Sequence, residues 1–161
     1  MIENLANSMI ENFDNEFQKL FTEMTEIAFE YVDNNSNEVD AIYVIGLIES
    51  GYFYKSFYQI NGILVKSHKV NTVSKMQYDI SKDRAFSLLK LGMELLEKTE
   101  TLFVNDDREV PTMLKLIYYP QTGRFESDFS YDKTFSNSKT KTAQDVYEGW
   151  FNEIEKELSI K

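Results

Sequence analysis

The 161-residue chain is 42% hydrophobic and 14% aromatic, has no cysteine, and carries a formal net charge of −10. Its length suits one domain with a real core. Its twelve Phe and ten Tyr exclude extended disorder, and the missing thiols exclude a disulfide scaffold, a cysteine nucleophile and a thiolate metal site.

The first predicted element is a helix over residues 2–33. Phe13, Phe17, Leu20, Phe21, Met24, Ile27, Ala28 and Tyr31 recur at three- and four-residue steps and form one stripe, which Leu5 and Met9 extend toward the start. Asn12, Glu16, Lys19, Glu23, Glu26, Glu30 and Asp33 fall on the other side. Residues 1–40 hold ten acids and one base, whereas residues 41–161 hold seventeen acids and sixteen bases. The imbalance is therefore concentrated in this helix and the turn after it. Such a surface repels phosphates, so no direct nucleic-acid ligand is expected. It favours a basic protein partner, chiefly through steered encounter.

A β-region follows. Val39–Ile48 is β-branched and aromatic, Glu49-Ser50-Gly51 is a turn, and Tyr52–Ile60 has aromatics on both alternating faces. Its tyrosines suit either a contact surface or packing beneath helices. Asn61-Gly62 is a type I′ hairpin signal, and Ile63–Val70 returns as the third strand. Residues 71–80 read as either a short strand or a loop.

Ser81 is the predicted cap of a second helix over 82–103. Its stripe is Ala85, Leu88, Leu89, Leu95, Leu96 and Phe103, and Gly92 within it suits close packing against the sheet. Asn105–Glu109 is an exposed loop. Thr112–Asp132 is the clearest hairpin, turning at Pro120–Gly123. Phe125, Phe129 and Tyr131 point one way for burial, and Arg124, Glu126, Asp128, Ser130 and Asp132 point to solvent. The polar segment 133–142 is expected to be mobile. Thr142 and Asp145 cap a last helix striped by Val146, Trp150, Ile154 and Leu158. The order α-β-β-β-α-β-β-α predicts a single α+β domain over residues 1–161. It is a two-layer fold in which helices cover one face of an antiparallel sheet of about five strands.

No catalytic constellation is visible, so the reading is of a protein that is not an enzyme. His68 is the only histidine, too little for acid–base or transition-metal chemistry. Asp106-Asp107 lacks the EF-hand pattern, and no GxxxxGK[ST] or GxGxxG is present. Glu126 and Asp128 could serve glycoside chemistry, but the wet face of a hairpin explains them. No cofactor or metal is expected. No apolar run approaches the roughly 20 residues that span a bilayer, and the N-terminus lacks the features of a signal peptide. A cytoplasmic protein with no membrane partner is therefore expected.

The pieces LLEKTETLFVNDDREVP, TMLKLIYY, QTGRF, ESDFSYD and DVYEGWFNE follow one another from the second helix to the end. In this order the segment resembles the YezG-like immunity family, which includes EsaG-type antitoxins. Gly123, Phe125, Phe129, Tyr131 and Asp132 fall on that family's hairpin pattern. The resemblance implies an antitoxin that neutralises a cognate nuclease toxin before export by a type VII secretion system. Charge, not the resemblance, selects the contact residues: Glu23, Glu26, Glu30 and Asp33 first, Glu126 and Asp128 second. The competing reading is a secretion chaperone binding an effector segment, because the element order and acidity are similar to small dimeric chaperones of type III effectors. A homodimer remains open in either case.

Overall fold

The computed structural model describes residues 2–160, with side chains described from residue 12 onward. Leu5 and Met9, expected to extend the first stripe, lie outside the described side chains. The elements are α1 (Ile2–Tyr31), β1 (Val39–Ile48), β2 (Tyr52–Ile60), β3 (Ile63–Lys66), α2 (Lys82–Asn105), β4 (Met113–Tyr119), β5 (Arg124–Ser130) and α3 (Ala143–Ile160). The strands form one antiparallel sheet in the order β3-β2-β1-β4-β5. The expected α+β class, strand number and element order are all present.

The expected covering of one face is not. β1 lies at the centre of the sheet and is buried almost throughout. Ile42, Val44 and Ile48 pack with α1 and α2, whereas Ala41, Tyr43, Ile45 and Leu47 pack with Tyr147, Trp150, Phe151 and Ile154 of α3. Successive side chains of a strand point to opposite faces, so a strand that is apolar at both parities needs cover on both sides. The fold is a helix–sheet–helix sandwich. On the α3 face, Tyr43 stacks on Phe57 at 4.5 Å between ring centroids, and Trp150 meets Phe57 edge-on at 5.0 Å.

On the other face, α1 is held to β2 by two buried hydroxyls. Tyr54 donates to the Met24 carbonyl and Tyr58 to the Ala28 carbonyl, each at 2.7 Å. These tyrosines of the aromatic strand are therefore core, not contact surface. α2 crosses β2 at Gly92, where an added Cβ would lie 2.1 Å from Tyr54 Cγ. Beyond this crossing Leu95, Leu96, Thr99 and Phe103 are buried, but before it Ala85 and Leu89 are exposed and Leu88 is only half-buried. The predicted α2 stripe is thus buried only in its second half.

Local signals fare well. Asn61 and Gly62 both take positive φ, 51° and 80°, as a type I′ turn requires. Ser81 Oγ accepts from the Arg84 amide. Thr142 and Asp145 form a reciprocal box, the Thr142 amide donating to Asp145 Oδ2 at 2.8 Å and the Asp145 amide to Thr142 Oγ1 at 3.3 Å.

Two local expectations change, and one open choice is settled. β3 ends at Lys66 and continues as a 3₁₀ turn, Ser67–Thr72, so His68 lies on an exposed turn instead of in a strand. Residues 73–80 form a loop, not a strand. Of the three hairpin aromatics expected to be buried, Phe129 packs inward, among Phe17 and Phe21 of α1. Phe125 and Tyr131 are 36% and 47% exposed; Phe125 lies on the edge strand β5 and Tyr131 just past its end.

Segment 133–142 is tethered. Glu49, in the β1–β2 turn, accepts from the amides of Thr134, Phe135 and Ser136 at 2.8–3.2 Å and from the hydroxyls of Thr134 and Ser136. Desolvation opposes ionisation of Glu49, but these hydrogen bonds outweigh it and hold its pKa down to about 2. A depressed carboxylate contributes stability that is complete above its ordinary pKa and disappears as pH falls through the folded value. The tether is therefore expected to weaken from about pH 4.5 downward and to be gone below about pH 2. Glu49→Ala should raise hydrogen exchange at the amides of residues 134–136 at neutral pH and leave β1 protected. Unchanged exchange there would show that Glu49 does not hold this segment.

Candidate functional site

The acids singled out by charge separate into two groups on opposite sides of the sheet. Glu23, Glu26 and Glu30 lie along the outer side of α1, because Phe21, Met24 and Ala28 are committed to the core and the helical period turns the intervening positions outward. Glu26 and Glu30 are exposed and Glu23 is half-buried. Asp33 lies beyond the helix end at φ 55°. It faces Arg84, whose Nη2 is 3.4 Å from Asp33 Oδ1 and donates to the Glu30 carbonyl at 2.6 Å. Asp33 thus has a basic neighbour, whereas Glu23, Glu26 and Glu30 form no ion pair among the described residues.

Glu126 and Asp128 share the α3 face of the sheet with Lys115 and Ile117, their register partners in β4. Glu126 pairs with Arg124, and Asp128 stands opposite Lys115. Both hairpin acids have basic neighbours and do not join the α1 ridge.

The structure adds a groove that the charge count did not contain. Between α1 and the hairpin lies a cleft of about 340 Å³, lined by Gln18, Thr22, Thr25, Glu26, Phe29, Tyr118 and Phe125. Tyr118 and Phe125 are register partners across β4 and β5, and Phe29 meets Tyr118 edge-on at 6.1 Å. Glu26 thus stands at the rim of an aromatic floor. Aromatic anchors beside charge are the composition of a protein-binding hot spot. The signal for it in the sequence was Phe125, an aromatic two positions past the turn of the hairpin.

Two other carboxylates are structural. Glu38 is 6% exposed and accepts from the Tyr78 hydroxyl at 2.7 Å, from Asn61 Nδ2 at 3.4 Å and from the Lys75 amide. Desolvation opposes its ionisation, but these hydrogen bonds prevail and lower its pKa. It is held ionised, the opposite of a proton donor poised near neutrality. Glu49 is occupied by its tether. Among the described residues, no group of three or more His, Asp or Glu is placed to hold a metal ion. Among them, too, no helix is long and apolar enough to cross a membrane.

No protein-family model matches the chain, and no curated protein matches its sequence.

Proposed function

We propose that this protein is a cytoplasmic antitoxin that binds a basic nuclease toxin and occludes its substrate cleft, using the α1 ridge and the groove beside it. The observation that carries this reading is that the acidic ridge of Glu23, Glu26 and Glu30 meets, at Glu26, the rim of a groove lined by Phe29, Tyr118 and Phe125. A nuclease must hold a polyanion in a basic cleft. An acidic ridge steers encounter with that cleft, and aromatic anchors slow dissociation. The similarity of the C-terminal segment to YezG-like immunity proteins supports the same partner class. The proposal involves no catalysis and no cofactor.

The test reads the neighbouring gene, which this proposal expects to encode a basic nuclease domain, and titrates that domain with the protein. One equivalent of the protein should abolish its activity, and association should slow markedly as salt rises. Replacing Glu23, Glu26 and Glu30 together by Lys should slow association by about tenfold or more at low ionic strength. Full inhibition with an unchanged on-rate would remove α1 from the interface.

A secretion chaperone is the second reading, favoured by the element order and by the unpaired outer edge of β5, where an extended effector segment could add as a strand. Such binding would be nearly independent of salt and of the three glutamates.

A further inference from the structure

α2 carries an apolar face that none of the described residues covers. Lys82, Phe86, Leu89, Met93, Glu97 and Glu100 recur at steps of four, three, four, four and three, the spacing of one helix seam. The apolar three are large and exposed: Phe86 at 67%, Leu89 at 38% and Met93 at 36%. The face is not the one buried on the sheet, which runs through Gly92, Leu95, Leu96, Thr99 and Phe103. A solvated helix face is ordinarily polar, and a cluster of exposed apolar side chains marks an interaction surface.

We propose that this face pairs with the same face of a second copy of the chain, the two α2 helices running antiparallel about a two-fold axis between Leu89 and Lys90. From Lys82 to Glu97 the seam is self-complementary about that point. Lys82 and Glu97 lie equally far to either side of it, as do Phe86 and Met93. An isologous contact therefore places each Lys82 against the partner's Glu97 and each Phe86 against the partner's Met93, as two-fold symmetry demands. The surface also has the relief for it. Phe86 and Leu89 stand between two hollows of about 360 and 440 Å³, the larger lined by Tyr52 and Met93. Phe86 of one copy fills the hollow beside Met93 of the other. None of the ion pairs among the described residues uses Lys82, Lys90, Glu94 or Glu97, so the charges at both ends of the seam are available. On one helix Lys82 and Glu97 are about 22 Å apart at 1.5 Å per residue, so their attraction can act only between copies. This surface is separate from the α1 ridge, and its test involves no toxin.

Sedimentation velocity on the full chain decides it. At roughly 100 µM the wild type should sediment at twice the 18.9 kDa chain mass. Phe86→Glu should yield a single-chain species with an unchanged circular dichroism spectrum, since loss of a central aromatic anchor weakens binding by about 30-fold or more. Lys82→Glu alone should weaken the dimer by about tenfold, because two like-charge contacts form, one at each end. Lys82→Glu combined with Glu97→Lys should restore it, and this swap on exposed residues carries the test independently of Phe86. A wild type that sediments as one chain at that concentration overturns the proposal and leaves the seam to a different protein partner. So does a dimer that survives Phe86→Glu, or a double reversal that fails to restore assembly.

Discussion

Gly92→Ala is expected to destabilise the protein by about 2–3 kcal/mol, the cost of overpacking a core crossing, and to lower Tm by about 5–10 °C for a chain of this size. Helix propensity alone predicts the opposite sign, since Ala is favoured over Gly by about 1 kcal/mol in a helix interior. Packing decides because the new methyl would meet Tyr54 Cγ, Cδ1 and Cδ2 at 2.1–2.6 Å. These are ring atoms of a fully buried side chain whose hydroxyl is fixed to the Met24 carbonyl. Tyr54 cannot swing aside without breaking that bond, so α2 must lift from the sheet. Gly149 lies on the exposed side of α3, and a methyl added there would meet nothing within 4 Å. Gly149→Ala should therefore stabilise by about 0.5–1 kcal/mol. Opposite signs for the same change in two helices, read by chemical denaturation, test the α2–β2 crossing. A stabilised Gly92→Ala variant would sink it.

The second large effect is expected at Glu38. Glu38→Ala should cost about 3 kcal/mol, because a hydrogen bond to a charged group contributes about 1.5–3 kcal/mol and several donors lose their acceptor at once. Those donors are the Tyr78 hydroxyl, the Lys75 amide and Asn61 Nδ2, so the loss loosens the loop of residues 73–80 and the β2–β3 turn together. Glu38→Gln keeps one acceptor and should fall between. Because the folded pKa lies below the ordinary value, the contribution is present above about pH 4.5 and is lost as pH falls through the folded pKa. Wild-type and Glu38→Ala stabilities should therefore converge in acid. A difference that stays constant from pH 7 into the acid range would show that the carboxylate's charge does not matter.

Residues near one another in the chain announced their own structure. The caps at Ser81 and Thr142, the Asn61-Gly62 turn, the three helices and the five strands all depend on neighbours within a few positions, so spacing and residue type suffice for them. Gly92 within the α2 stripe also announced a close approach, although not its partner Tyr54, 38 positions earlier. The acidic ridge was readable because helical period alone places Glu23, Glu26 and Glu30 outside.

Contacts across long stretches of chain decided the rest. α3 took the second face of the sheet because β1 is apolar at both parities, a demand whose answer lies about a hundred residues away in sequence at Trp150 and Phe151. Nothing local marked Glu38 or Glu49; the fold brought them the hydroxyls and amides of Tyr78, Lys75, Thr134 and Ser136. Phe125 read as core and became the floor of a groove, since burial of an edge-strand residue depends on how far α1 reaches over it. Periodicity identifies which residues seek cover. Only the assembled fold settles which of them receive it, and the apolar and acidic groups it leaves uncovered are where partners are to be sought.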